Sequence, residues 1–511
     1  QSQTSPQHSD RARKTLSSQA KGMAGDPGVG SGKAASANKE TPISTSDDTA
    51  GNDVSGVVAF SGSTAWDLMG RNALPRQLVL EGRASGGGQE LLRPVLLQGA
   101  LQTGQDSTFD TLRKVRRVIA GPVSTHALVI SSDHEVFIWG RNEHGQLGFP
   151  DMMRRNLPSK LVDRHGKAYR CKDAACGRNH TLLVTREGLV YAMGSNKSGQ
   201  LGIGSLTQEF VSTPYKVSFP QETRISAVSA GGEFSVALDE EGGLWSWGHP
   251  EHGQLGHGTE GSYFEKGNKL AFNFEAKPRK VQALNNHKVL AVCCGVNHTV
   301  ILDDQGQVWT QGFGGYGRLG HGVPKDELLP KKVESLQRGK GAVKIACGST
   351  CTYVLTVSGQ TMMFGQTKRT GEANMYPKPI HDLHGWNVRA ISCGPTSTLV
   401  AADESVISWG PSPTYGELGY GDSAAKSSTK PKLVESLEGM HVLEVTVGLC
   451  FAVILIRCSS ADDVAKLRTL PFLQEFEIEL DDKKGPTKKR KASSNPSATK
   501  ARGKKSAESS A

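Results

Sequence analysis

The chain is predicted to be all-β, a seven-bladed β-propeller closed by its N-terminal strand, and three spaced landmarks predict it. The first is Gly-x-x-x before an apolar run, at Gly121, Gly177, Gly231, Gly295, Gly348, Gly394 and Gly448, spaced 46 to 64 residues apart. The second follows 16 to 19 residues later as an apolar or aromatic residue and glycine: Trp139-Gly140, Met193-Gly194, Trp247-Gly248, Phe364-Gly365 and Trp409-Gly410, with Gln311-Gly312 the polar exception. The third is Gly-x-Leu-Gly, at Gly145–Gly148, Gly199–Gly202, Gly253–Gly256, Gly317–Gly320 and Gly416–Gly419. Recurrence at this length, with several short strands per unit, marks a ring of small sheets.

The unit around Gly177 gives the elements in order. Thr181-Leu182-Leu183-Val184-Thr185 reads as a strand, Arg186-Glu187-Gly188 as a turn, and Leu189 to Gly194 as the returning strand. Asp239 to Gly242 and Asp303 to Gly306 occupy the same turn later in the chain. Seven first landmarks have only six second landmarks. The unit at Gly448 stops after Leu449 to Ile456, and its missing half sits near the other terminus, as Val57 to Gly62 followed by Trp66-Asp67-Leu68-Met69-Gly70. The seventh blade is therefore expected to combine both ends of the chain, which removes open sheet edges.

Composition divides the chain into four parts. Residues 1–56 hold six basic and six acidic residues and no aromatic one, a composition expected to stay disordered. Residues 57–457 form the propeller, and 458–480 a rim segment, where Ser460-Ala461-Asp462-Asp463 reads as a helix start and Pro471 as its stop. Residues 481–511 carry ten Lys/Arg against three Asp/Glu, a disordered basic tail with most of the chain's net charge of +10. Nine cysteines form no Cys-x-x-Cys pair, and Cys176, Cys294, Cys347 and Cys393 precede the repeat glycine, which favours free thiols in a reducing compartment. The longest apolar stretch, Val447 to Ile456, is too short to span a bilayer, so no membrane partner is expected.

Side-chain chemistry is not visible in the sequence. His180 and His298 occupy a slot that elsewhere holds Phe234, Cys351, Ser397 and Phe451, which indicates packing rather than catalysis or metal binding. Gly312-Phe313-Gly314-Gly315-Tyr316-Gly317 fits the G-x-G-x-x-G pattern, but Arg318-Leu319-Gly320-His321-Gly322 follows where a dinucleotide site needs a helix. No catalytic residue, cofactor or metal ligand is assigned. An insertion at 258–278 with Tyr263, Phe264, Lys266 and Lys269 is expected to extend as a hairpin, a common form of binding element. A second insertion, 71–117, ends in Arg113-Lys114-Val115-Arg116-Arg117 and reads as a solvated basic loop. In the tail, Lys488, Lys489, Arg490 and Lys491 suit the acidic groove of a nuclear import receptor or a phosphate backbone.

Three blocks are more specific than the rhythm: Ala175 to Thr181, Gly312 to His321, and Ala401 to Asp422. Together with Trp66 to Arg71 they resemble the regulator-of-chromosome-condensation propeller family, and its second branch in particular. The resemblance covers about residues 57–470. It implies a nuclear, mitotic protein of centromeres and spindle midzone that engages Rac- and Ral-type small GTPases, with chromatin or other mitotic proteins as further partners. The founding member, an exchange factor for the GTPase Ran, uses acidic or His side chains in the two positions after the repeat glycine. Here those positions hold Arg178 and Asn179, Gly232 and Glu233, and Val296 and Asn297. Only Glu233 is acidic, which argues against Ran exchange while leaving Arg178, Asn179, Glu233 and Asn297 on a protein-binding face. Exchange by differential binding needs no general acid or base, so catalysed exchange and a pure scaffold both remain open.

Overall fold

The computed structural model describes residues 55–473, apart from 85, 98–113, 221, 337–340, 368–371 and 412–414. The basic tail, with Lys488, Lys489, Arg490 and Lys491, lies outside the described residues, as does the N-terminal segment before residue 55. Within them the strands form seven four-stranded antiparallel blades. The first blade comprises Val115–Ile119, His126–Ser131, Val136–Gly140 and Arg155–Lys160. Blades two to six occupy 171–216, 225–280, 289–332, 342–379 and 388–433. The seventh joins Val442–Val447 and Phe451–Arg457 to Gly56–Ser63 and Glu90–Leu96.

The closing strand is where the missing half-unit predicted it. Val58 pairs with Leu455 and Ser61 with Ala452 in one antiparallel ladder. Phe60 and Trp66 pack on Phe451 with ring centroids 5.6 and 5.3 Å apart. Such ring pairs add roughly 0.5–1.5 kcal/mol each beyond their buried area. The second insertion differs from its expected form at both ends. Glu90–Leu96 is the outer strand of the seventh blade, and Gly416 of the sixth blade packs on Leu91 and Leu92 as Gly145 packs on Ser212. Val115–Ile119 is the inner strand of the first blade, not a solvated loop. Its Arg117 is ion-paired at 3.1 Å with Glu444 of blade seven and Asp173 of blade two. Glu444 and, less strongly, Asp173 push the guanidinium pKa further up. The charge of Arg117 is offset by neighbours on both sides, which lets the strand carry it.

The landmarks have a common cause. His180 lies between two glycines: a Cβ on Gly177 would stand 2.1 Å from its ring, and one on Gly194 would stand 2.7 Å from its Cα. Gly231 and Gly248 enclose Phe234 in the same way, and Gly295 and Gly312 enclose His298. The first landmark is glycine for space; the second also takes a positive φ, near +108° at Gly194. The imidazoles tie blade to blade. Thr181 Oγ1 donates to the Gln146 carbonyl at 2.7 Å, so His126 Nε2, also 2.7 Å away, must be the donor to that hydroxyl. His180 and Ser235 repeat the contact at 3.0 Å, and His298 and Thr352 at 3.2 Å. Burial holds the His126 and His180 pKa values down to about 3 and about 4, and that of His298 well below the usual value. All three rings are neutral structural groups. Gln311 behaves likewise, since its Nε2 donates to the Gln254 carbonyl at 2.9 Å as Trp247 Nε1 donates to that of Gln200.

The rim helix Ala461–Leu467 starts at a capping box of Ser460 and Asp463. Arg457 grips Asp463 through two hydrogen bonds of 3.1 Å, and Leu467 and Leu470 enter the core between blades six and seven.

Candidate functional site

In a four-stranded antiparallel blade, the links between strands one and two and between strands three and four leave at the same end. That end of the ring collects the loops bearing Arg178, Asn179, Glu233 and Asn297 together with the third-blade insertion. Arg178 N donates to the Gly232 carbonyl at 3.4 Å and Gly232 N to that of Val296 at 2.9 Å, so the loops of blades two, three and four touch in sequence. Asn179, Glu233 and Asn297 are equivalent positions. Each precedes the buried slot residue, and each carbonyl accepts an N–H, from Ser195 at 2.8 Å, His249 at 3.0 Å and Phe313 at 2.8 Å. The backbones are fixed while the side chains face outward. Glu233 is exposed, and its Oε2 accepts from Ser198 Oγ at 2.9 Å.

The insertion forms the hairpin that the sequence predicts, Ser262–Glu265 paired with Lys269–Phe272. Gly267 and Asn268 take positive φ in its turn. Every residue from 262 to 270 is exposed, and Phe264 is 68% exposed. An isolated two-stranded ribbon is marginal in water. This one is anchored only at its base, where Asn273 N donates to the Gly261 carbonyl at 2.8 Å and His249 packs on Phe272 and Phe274.

The same end is closed on one side. The positions equivalent to Glu233 in blades one and seven, Thr125 and Cys450, are buried. Arg141 there donates to the carbonyls of Trp66 at 3.0 Å and Met69 at 2.6 Å, and Arg154 meets Asp67 at 2.6 Å. Burial, and then neighbouring Arg71, lowers the Arg141 pKa to about 10. In blades two to five the equivalent side chains, Asn179, Glu233, Asn297 and Thr350, are exposed or half-buried, which leaves an open arc with the hairpin rising from it. The sequence did not single out Tyr316 of the fourth-blade loop as a member of this end. Its φ is +62°, its ring is 52% exposed, and Arg318 lies 4.6 Å over Phe313 and 5.6 Å over Tyr316. The glycine-rich block holding it ends in a three-residue 3-10 turn, Gly315–Gly317, and is not followed by the helix that a pyrophosphate site requires.

Among the described residues, no three His, Cys, Asp or Glu side chains gather where they could hold a metal ion. No helix among them is long and apolar enough to cross a membrane. The described chain begins beside Arg457 and ends beside Leu96, so both of its limits lie at the end of the ring opposite the arc.

The pattern of the RCC1-like domain family matches residues 69–454. A "Protein RCC2 homolog" of Danio rerio is 40% identical over 431 residues, which is 82% of this chain and 84% of that protein. The "Protein RCC2" of Homo sapiens is 39% identical over 438 residues, covering 82% and 80%. Among solved structures, yeast RCC1 (Prp20) bound to Kap60 superposes with a TM-score of 0.63 at 18% identity, over 86% of this chain and 98% of that one. Human WBSCR16 gives 0.62 at 20% identity over 79% and 100%. These structural likenesses speak for the fold.

Proposed function

The chain belongs to the RCC1-like domain family, and from that premise we propose that its propeller is an interaction scaffold that binds and regulates small GTPases. The finer reading is a partner of the Rac or Ral class, engaged during mitosis and cell-cycle progression at chromosomes, centromeres and spindle midzone. The observation that supports it is the open arc at one end of the ring. There Arg178, Asn179, Glu233 and Asn297 stand on fixed backbones beside the exposed Tyr263, Phe264, Lys266 and Lys269. Rigid backbone under variable, outward side chains is what a partner-specific surface needs, and large aromatics are frequent anchors in such surfaces.

Regulation through binding alone is energetically sufficient. A propeller that holds the nucleotide-free GTPase more tightly than the loaded form shifts that equilibrium by its differential affinity, without an acid or base. Calorimetry with nucleotide-free and GDP-loaded Rac- and Ral-type GTPases tests this, with tighter binding of the empty form expected. Equal affinity for both would overturn it. Release of a fluorescent nucleotide separates a scaffold, which leaves the rate unchanged, from a true exchange factor.

The charge of the tail supports one additional role. With a net +7 over residues 481–511, it suits nuclear import through Lys488, Lys489, Arg490 and Lys491, and contact with chromatin. Deleting 483–511 should remove DNA affinity together with its steep salt dependence. A propeller that binds DNA equally well without the tail would refute this division of labour.

A further inference from the structure

All nine cysteines are free thiols, and the repeats show which of them has a matched partner. Where the inner strands of neighbouring blades approach, the second residue before one repeat glycine packs against the residue just before the next. Ser229 Oγ accepts from Cys294 N at 3.0 Å, Ser392 Oγ from Val447 N at 3.0 Å, and Thr446 Oγ1 from Ala120 N at 2.9 Å. Each of these bonds holds its two Cα atoms less than about 7 Å apart, within the reach of a disulfide.

Between blades four and five the same two positions are Cys293 and Cys347. No other seam has cysteine at both. The two side chains enter one seam: Cys293 packs on the apolar cluster that contains Cys347, and Cys347 Sγ donates to the Cys293 carbonyl at 3.3 Å. Their surroundings differ. Cys293 is half-buried, whereas Cys347 is buried. Burial, and then the Cys293 side chain, pushes the Cys347 pKa well up, so that sulfur stays protonated and inert on its own.

We infer that Cys293 and Cys347 are a modification site, a thiol pair that hydrogen peroxide oxidises to a disulfide joining blade four to blade five. The half-buried Cys293 meets the oxidant. Its sulfur attacks one peroxide oxygen, the O–O bond breaks, and the released hydroxide takes the thiol proton and leaves as water. The sulfur of Cys347 then displaces the hydroxyl of the resulting sulfenic acid, which departs with the Cys347 proton as a second water. Two thiols and one peroxide thus give one disulfide and two waters. The link lies directly before Gly295 and Gly348, which open the loops of Asn297 and Thr350. It therefore fixes the spacing of two neighbouring loops of the open arc.

The test treats the reduced full chain with hydrogen peroxide, blocks the remaining thiols with N-ethylmaleimide in denaturant, and maps links in a non-reducing digest by mass spectrometry. The expected product is a monomer with two fewer blocked cysteines than the nine of the reduced chain, reversed by dithiothreitol. Cys293→Ser copies Ser229 and Ser392 of other blades, so it should fold normally, as read by thermal unfolding, and lose the link. Cys347→Ala copies Ala230 and should lose it too, whereas Cys294→Ser, which lies in the same digest fragment as Cys293, should keep it. A Cys293 that stops at sulfinic acid without a link, a link between other cysteines, or a link retained in folded Cys293→Ser would each overturn the inference.

Discussion

At the seams the repeats are nearly interchangeable, whereas at the loop end neighbouring blades differ in charge, length and exposure. His126, His180, Phe234, His298, Cys351 and Phe451 fill one buried slot, each facing the glycine of the next strand. One residue earlier stand Thr125, Asn179, Glu233, Asn297, Thr350 and Cys450, which range from buried to exposed. Except at His126, which only Gly140 adjoins, the slot is confined by glycines on two sides, so only packing and an occasional hydrogen bond decide its occupant. The preceding residue has its carbonyl committed and its side chain free. In this ring, packing sets the repeat and the loops between its strands vary the surface.

Damage to a seam should therefore exceed anything done to the loops. Gly62 is the seam glycine that belongs to the closing strand. It takes a φ of +111°, and a Cβ there would stand 2.5 Å from both the Cys450 carbonyl and the Phe451 Cα. Gly62→Val is expected to cost more than about 3 kcal/mol, combining backbone strain with overpacking. Denaturant unfolding measures it, and a midpoint equal to that of the parent protein would show that the ring does not depend on this strand.

Acid should strain the seams next. With folded pKa values of about 3 and 4, His126 and His180 bind fewer protons in the native state than in the unfolded one. Each therefore contributes stability that is present above the unfolded value near 6.5 and lost as pH falls toward the folded value, at about 1.4 kcal/mol per pH unit. His180→Phe copies the Phe234 blade and should reduce the slope of stability against pH by about that amount between pH 6 and 4.5. An unchanged slope would mean that the imidazole is already accessible to protons.

How much of this was legible follows the same division. The glycine spacing and the split seventh blade could be read because close packing imposes them residue by residue. The outer strand Glu90–Leu96 could not, because outer strands pair on one side only. Arg155–Lys160, wholly half-buried, shows the same lack of pattern. Arg117 was misread because its partners lie 56 and 327 residues away, beyond any local charge pattern. His126 escaped because its loop after Gly121 is two residues longer than that before His180. Its fixed distance of 14 residues to the following glycine, shared by His180 and Phe234, is the signal that finds it. At the site, the hairpin and the equivalence of Asn179, Glu233 and Asn297, with Arg178 one residue earlier, were readable. The cover over blades one and seven was not, since Arg141 makes it through backbone carbonyls, which carry no sequence signal.

A smaller effect belongs to Glu417, which stands in the sixth blade's Gly-x-Leu-Gly where three others have Gln146, Gln200 and Gln254. It is buried, and its carboxyl accepts from Tyr415 N at 2.7 Å, as Gln146 accepts from His144 N. Burial raises its pKa to about 7. The native state thus holds a proton that the unfolded state releases near 4.5, and stability falls as pH rises between those values. Glu417→Gln should add up to about 3 kcal/mol at pH 8 and almost nothing at pH 4.5, measured by thermal unfolding at both. Equal gains at the two pH values would remove ionisation as the cause.

Glu233→Lys should leave the fold almost untouched, and it reaches the other half of the comparison directly. The side chain is exposed, its carboxylate accepts a hydrogen bond from Ser198, and its carbonyl contact with His249 survives any change of side chain. Stability should shift by less than about 0.5 kcal/mol, as is usual at such surface sites. Reversing its charge beside Arg178, however, turns the middle of the open arc basic, since a Cβ on Gly232 would already stand 3.7 Å from that guanidinium. Binding of a GTPase that docks on the arc should weaken, mainly through a slower association rate at low salt. Kinetics of nucleotide-free GTPase binding, measured beside a thermal melt, read both quantities from one preparation. A large drop in melting temperature would place Glu233 among the seam residues. Unchanged association with an unchanged melt would move the partner off the arc, and the hairpin variant Phe264→Ala would then be the position to measure.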